Sequence, residues 1–386
     1  TDVPLEVDFA AATWGDVNTE EVQRLFGVLE FNSLYERLRE ILGDALPADE
    51  SSKSVLEAEP LTMASVPECR EMLASLLESP DPVSLGWATD VDGGLVALTF
   101  VCEANLGEVL VLGPNFLEQE EVLGLVSRLL GDEEAGFDTH NAKGLGRAMR
   151  RLGVGIEGLR VDTAIAAYLL DPSSGRYAID DLLLKYQRVE LARSETSAAG
   201  QLDLDGGADD HYLDAARDAL AVERLASPML DLIEERSMSW LYEELERPLV
   251  SVLARMEDIG VGVDVSELRR MRDYLVSEVN RLESEIHVLA GREFNVNSTK
   301  QLREVLFDDL GLTPQKKTKT GYSTDAASLE KIREQHEVVA LLLDYREVEK
   351  LRSTYGQGLL EATDPDERIR ATFNQTVART GRLSSE

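Results

Sequence analysis

Cysteine is nearly absent: Cys69 and Cys102 are the only two in 386 residues. That excludes a disulfide framework and a thiolate metal site, and both thiols are expected as small buried hydrophobes. Histidine is as sparse, with His140, His211, His287 and His336 scattered and never spaced as H-x-x-x-H, which excludes a paired-histidine zinc site. No stretch of about 18 consecutive apolar residues occurs, so no membrane helix is expected. The N-terminal residues carry Asp2, Glu6, Asp8, Asp16, Glu20 and Glu21 where a secretory signal would be basic and then apolar. A cytoplasmic protein without a membrane partner is expected.

Basic charge is also scarce, 39 Lys and Arg against 73 Asp and Glu, a formal net charge of −34. Neutralising phosphates supplies most non-specific affinity for nucleic acid, so the surface as a whole is excluded from that role. The deficit is uneven, however: residues 237–386 carry about −6 and residues 1–236 about −28. The C-terminal part is therefore the better candidate for touching nucleic acid.

What is present is ordinary globular material, 43% hydrophobic and 29% charged, in a chain long enough for at least two cores. The chain opens on Thr1 and stops at Glu386 without a closing loop, so both ends read as cut. Residues 1–42 include a helical pattern (Val22, Leu25, Phe26, Leu29, Leu34, Leu38, Ile41) too short for its own core. Residues 43–60 have the proline, serine and acid content of a linker. The runs at 83–87, 95–101 and 108–112 are short and β-type, joined by D-V-D-G-G and A-N-L-G, predicting a three-stranded meander. Helical patterns then alternate with strand-like pieces at 118–130, 136–139, 143–152, 161–170 and 179–186, which is α/β texture. A Ser, Ala, Gly and Asp-rich loop over 188–210 precedes a helix to about residue 235. From Ser237 the texture is helical, with capping boxes at Asp264 to Glu267 and Ser298 to Gln301. A basic loop lies between Pro314 and Ser323, followed by a long helix over 337–360. Two long helices separated by a basic tip describe a protruding arm.

The motifs F-N-V-N-S-T-K-Q-L (294–302), R-P-L-V (247–250), R-M-E-D-I-G-V-G-V-D (255–264), L-F-D-D-L-G-L (306–312), Y-R-E-V-E-K-L-R-S-T-Y (345–355) and F-N-Q-T-V-A-R-T-G-R-L-S-S (373–385) follow one another in a fixed order. In that order they resemble the thumb, and the start of the palm, of bacterial family A DNA polymerases. V-D-T-A-I-A-A-Y-L-L (161–170) and N-A-K (141–143) resemble the 3′–5′ exonuclease-type domain of the same family. The resemblance implies an α/β, RNase H-like exonuclease-type domain over 61–236, followed by a mainly α-helical thumb and palm approach over 237–386. It also implies that residues 1–42 end an upstream 5′ nuclease domain and that 43–60 link the two. The expected setting is the bacterial cytoplasm, at the nucleoid, in replication and repair synthesis.

An exonuclease of this kind needs four carboxylates around two metal ions, because in-line attack on a phosphodiester develops charge on both the attacking and leaving oxygens. The resemblance puts Trp87 and Thr89 where the first carboxylate pair should stand and Leu145 where the third should stand. Of the fourth motif, Asp214 replaces an expected tyrosine and only Asp218 matches. One carboxylate does not hold two magnesium ions, so this domain is expected to be catalytically inactive and to bind no metal. A shifted pair formed by Asp90 and Asp92 is the alternative, although D-V-D-G-G is equally what a strand-connecting turn requires.

In the arm, Lys316, Lys317 and Lys319 either contact phosphates or form a solvated loop. Arg346 and Lys350 share a helix face with Arg352 nearby, and either contact DNA or pair with Glu347 and Glu349. By resemblance Arg382 corresponds to an arginine at the primer-terminal minor groove, where its fork suits the acceptor pattern shared by all base pairs, with Asn374 and Gln375 near the duplex. The palm aspartates that hold Mg²⁺, and the fingers that take deoxynucleotides, would lie beyond Glu386. The expected partner is primer-template or gapped duplex DNA, bound by a monomer. An active exonuclease of the same carboxylate class and a non-catalytic DNA-binding scaffold remain the competing readings.

Overall fold

The computed structural model describes residues 54–193, 208–318 and 321–386, together with the helical residues Val22, Leu25, Phe26 and Leu38. The rest of the expected upstream tail, most of the linker, part of the loop over 188–210 and Lys319 lie outside the described residues.

The three-stranded meander expected from β-type runs and turn residues is present, its strands buried over continuous stretches rather than on alternate residues. Strands β3 (Val83–Thr89), β4 (Leu95–Glu103) and β5 (Glu108–Leu112) pair antiparallel, with Trp87 opposite Leu98. The stretch with linker composition is shorter than expected, because β1 (Ser54–Leu56) and β2 (Glu59–Thr62) fall within it or at its end. β2 pairs in parallel with β5, which satisfies the backbone of residues whose side chains alone do not predict a strand. On the other edge, β6 (Phe137–Thr139) and β7 (Leu159–Asp162) add in parallel, giving six strands in the order β2-β5-β4-β3-β6-β7. β1 pairs separately with β8 (Val189–Leu191). The segment over 161–170 therefore divides, its first residues ending β7.

Around this sheet lie α1 (Val66–Glu78), α2 (Glu120–Gly131), α3 (Ala142–Arg151), α4 (Thr163–Leu170), α5 (Ile179–Gln187) and α6 (Ala208–Glu235). α6 crosses β3 and β4 at unusually close range. A Cβ on Gly86 would stand 2.0 Å from the Ala215 carbonyl oxygen, and Thr99 Oγ1 donates to that same carbonyl at 2.9 Å. Ala216, Ala219 and Leu220 of α6 pack against Val109 and Val111 of β5. Cys69 of α1 is fully buried, but Cys102 is only half-buried, because β4 breaks register between Val101 and Glu103 near its end.

The remainder is helical. A single π-helical turn (Tyr242–Glu246) leads into α7 (Arg247–Ile259), and β9 (Val261–Gly262) leads into α8 (Val265–Ala290). Both expected caps are present: Asp264 accepts from the Glu267 amide and Ser298 from the Gln301 amide. α8 packs along α9 (Glu337–Leu351), sharing a core of Val279, Leu282, Ile286, Val338, Leu342 and Tyr345. The predicted long helix continues past α9, but through a π-helical segment (Arg352–Gln357). The basic loop is a hairpin of β10 (Lys317–Thr318) and β11 (Gly321–Tyr322). Near the C-terminus β12 (Arg368–Ile369) pairs with β9, and β13 (Phe373–Asn374) with β14 (Ser384–Ser385).

Candidate functional site

At the positions where the sequence predicts a lost metal site, apolar packing and one arginine stand. Trp87, on the last turns of β3, donates its indole N–H to the His140 carbonyl at 3.1 Å. Leu145 is fully buried in the main core. Asp218, on α6, instead faces Arg193, whose Nη2 is 2.8 Å from Oδ1, and Arg193 also pairs with Asp180. Burial pushes the Asp218 carboxyl up to about 6 against the opposing pull of the Arg193 charge. Asp214 pairs with Arg217 one turn along, at 3.2 Å. The Arg193 guanidinium places a positive charge in contact with Asp218, and two magnesium ions need several more oxygen ligands than these residues offer. The residues present do not fit a two-ion site, and among the described residues no group of three or more His, Cys, Asp or Glu could hold a metal.

Of the alternative pair, Asp90 serves the turn. Asp90 Oδ1 accepts the amides of Asp92 at 2.9 Å and Gly94 at 2.7 Å, which closes the β3–β4 connection. Asp162, of the V-D-T motif, is likewise structural: its two oxygens accept from Asn141, Ala142 and Ala164 amides, capping the starts of α3 and α4 together.

The expected cationic residues sort into two groups. Lys316 and Lys317 are exposed on the β10–β11 hairpin, Lys316 within electrostatic reach of Asp325, and Lys350 is exposed on α9. Arg382 is exposed in the turn between β13 and β14, with no hydrogen-bond or ion-pair partner among the described residues. The other group is turned to protein. Arg346 donates to the Thr324 carbonyl and, at 3.4 Å, to its hydroxyl, and burial lowers its pKa. Arg352 makes a two-pronged pair with Glu349 at 2.6 and 2.7 Å, the intrahelical pairing the sequence left open. Gln375 is buried and donates to the Glu246 carbonyl and carboxylate at 3.1 and 3.0 Å. Arg346, Arg352 and Gln375, expected at the DNA surface, thus each use some of their donors within the chain. Asn374 is half-buried in β13.

Three residues that sequence reasoning passed over tie the two parts of the molecule together. Glu257, on α7, has a side chain only 1% exposed, yet it meets Lys143 Nζ at 2.5 Å, Arg147 Nη1 at 3.3 Å and the Phe373 amide at 2.7 Å. Lys143 also donates to the Phe373 carbonyl. Tyr168 of α4 donates its hydroxyl to the Ala378 carbonyl at 2.8 Å. A signal for Glu257 exists in the sequence: Val250, Leu253, Ala254 and Glu257 fall on one helical face, so the glutamate occupies a position that the period reserves for an apolar residue. An acid there is stable only with cationic partners.

Comparison with known proteins follows the same outline. The sequence pattern of DNA polymerase family A matches residues 265–386. DNA polymerase I of Bacillus subtilis (strain 168) is 34% identical over 392 residues, covering 100% of this chain and 42% of that protein. The thermostable DNA polymerase I of Thermus filiformis is 35% identical over 388 residues, covering 100% of this chain and 39% of that protein. The chain thus spans well under half the length of these curated relatives. Among solved structures, the POL domain of Pol1 from M. smegmatis, in complex with DNA primer-template and dNTP, is similar at a TM-score of 0.70 and 29% identity, covering 82% of this chain and 53% of that one. A sheet flanked by helices, a helical arm and six motifs in unbroken order agree with these matches: residues 265–386 belong to a family A DNA polymerase domain, and the chain as a whole is a relative of bacterial DNA polymerase I.

Proposed function

We propose that the chain is the duplex-gripping portion of a DNA-directed DNA polymerase acting in replication and repair synthesis. In this reading the α/β part is an exonuclease-type domain without nuclease chemistry, and α8 and α9 form the thumb. Residues outside this chain supply the palm carboxylates that hold Mg²⁺ and the fingers that take the deoxynucleotide. The bound magnesium would stabilise charge developing on the attacking and leaving oxygens. This chain's residues would hold the primer-template as a monomer, working at the bacterial nucleoid.

The observation that carries the reading is Arg382: an exposed arginine, free of protein partners among the described residues, on a two-stranded hairpin inside the segment matched to the polymerase family. A planar five-donor fork suits minor-groove acceptors that every correct base pair presents. Such a contact at the primer terminus would align the 3′ end rather than anchor the duplex, and alignment of reacting atoms supplies several kcal/mol of a barrier. In the complete protein, Arg382→Ala is expected to slow single-turnover nucleotide addition by on the order of 10²-fold with a nearly unchanged DNA dissociation constant. Equal losses in rate and affinity, or no rate loss, would assign Arg382 a structural role and overturn this placement.

A further inference from the structure

The hairpin that carries Arg379 and Arg382 is small. β13 and β14 are two residues each, closed by the Thr372–Glu386 backbone pair at 2.9 and 3.0 Å. A two-stranded ribbon this short is not stable alone in water. Its position must come from what it leans on.

Two of its supports come from the α/β part. At its base, Lys143 of α3 donates to the Phe373 carbonyl and Glu257 accepts the Phe373 amide, so one strand residue has both backbone groups held by an ion pair. In its turn, the Tyr168 hydroxyl holds the Ala378 carbonyl, one residue before Arg379. The third support, Gln375 to Glu246, comes from the π-helical turn joining the two parts. Between these anchors, Arg379 and Arg382 are exposed, with no hydrogen-bond or ion-pair partner among the described residues. The arrangement has fixed backbone and free guanidinium groups, which is what presentation of a hydrogen-bond donor to an external acceptor requires.

We propose that the α/β part serves as a seat for this hairpin, with Lys143, acting through Glu257, and Tyr168 as positioning residues for Arg379 and Arg382. The inference rests on the polymerase reading for what the arginines touch, but not for the seating itself. It gives a domain without metal-binding carboxylates a role in the reaction: setting the geometry of arginines that lie some 210 residues away from Tyr168 in sequence.

Two variants test it. Tyr168→Phe removes one hydroxyl and keeps the ring. Lys143→Met combined with Glu257→Gln removes both charges, leaving no unpaired buried ion while keeping an acceptor for the Phe373 amide. Hydrogen exchange on each full-length protein is expected to run about tenfold faster over 372–386, with protection of α3 and α7 retained. In the complete polymerase, nucleotide addition should fall about tenfold while the primer-template dissociation constant stays within about twofold. Unchanged hairpin exchange in both variants would overturn the seating. Faster exchange with an unchanged addition rate would overturn the positioning role. A wild-type protein that adds no nucleotide would instead overturn the polymerase reading, an outcome visible before any variant is compared.

Discussion

The indole of Trp87 lies directly against the backbone of Gly144: a Cβ added there would be 2.5 Å from Cη2 of the ring. The start of α3 and the end of β3 therefore close on each other through an aromatic residue. Gly144→Ala should force the ring or the helix to move, and overpacking of this kind costs about 1–3 kcal/mol. Chemical denaturation of the variant is expected to give a lower midpoint with an unchanged slope. A midpoint equal to that of the parent would mean that the ring yields freely.

Asp218 predicts a pH dependence. Burial raises its carboxyl to about 6 in the folded protein, from an ordinary value of about 4 in the unfolded chain. Between those values the folded state holds the proton more tightly, so stability is highest at the acid end and falls as pH rises from about 4 to about 6. The loss is at most roughly 3 kcal/mol, since a tenfold difference in proton affinity between the folded and unfolded states is worth about 1.4 kcal/mol. Asp138, also raised mainly by burial, adds to the same slope. Asp218→Asn should flatten part of this dependence in equilibrium unfolding followed from pH 4 to 7. A variant as steep as the parent would show that Asp218 stays ionised throughout.

Binding to duplex DNA should separate the two groups of cations. Alanine at Lys316, Lys317 or Lys350 is expected to reduce the log–log salt slope by roughly 0.9 for each phosphate that the side chain had neutralised. Alanine at Arg352, paired with Glu349, should leave the slope nearly as it is. Arg346→Ala should act on stability instead, by orphaning the Thr324 carbonyl. Affinities measured across a salt series check all five, and equal slopes for every variant would show that none of these side chains meets phosphate.

Local pattern carried much of the fold. Short β-type runs separated by turn residues were enough for the β3–β5 meander, and side-chain caps at Asp264 and Ser298 marked the helix starts within a residue. What escaped depends on distant partners. β2 is a strand because β5 lies beside it, and a glutamate and a proline at its start argue locally for neither strand nor burial. For the candidate site, the pairing of Arg193 with Asp218 was not legible, since Arg193 comes from a different segment. The inward turn of Arg346 and Gln375 was equally hidden, because sequence marks a donor but not its acceptor.

The convergence on Glu257 also has a consequence for how the chain acquires its structure. Its partner Lys143 is 114 residues away, and Lys143 itself reaches 230 residues forward to Phe373. Closing loops of that length carries an entropic cost that only already-formed surfaces on both sides can offset, so pairings of this separation form late. The hairpin is thus expected to dock last, after both the sheet and α7 are built, and to detach first on unfolding. A φ-value near zero for Phe373→Ala, with higher values in β3 and β4, is the kinetic signature of that order. During synthesis from the N-terminus, Glu257 emerges while Lys143 and Arg147 are already available to neutralise it. The buried acid then waits, paired, for the last strand to arrive.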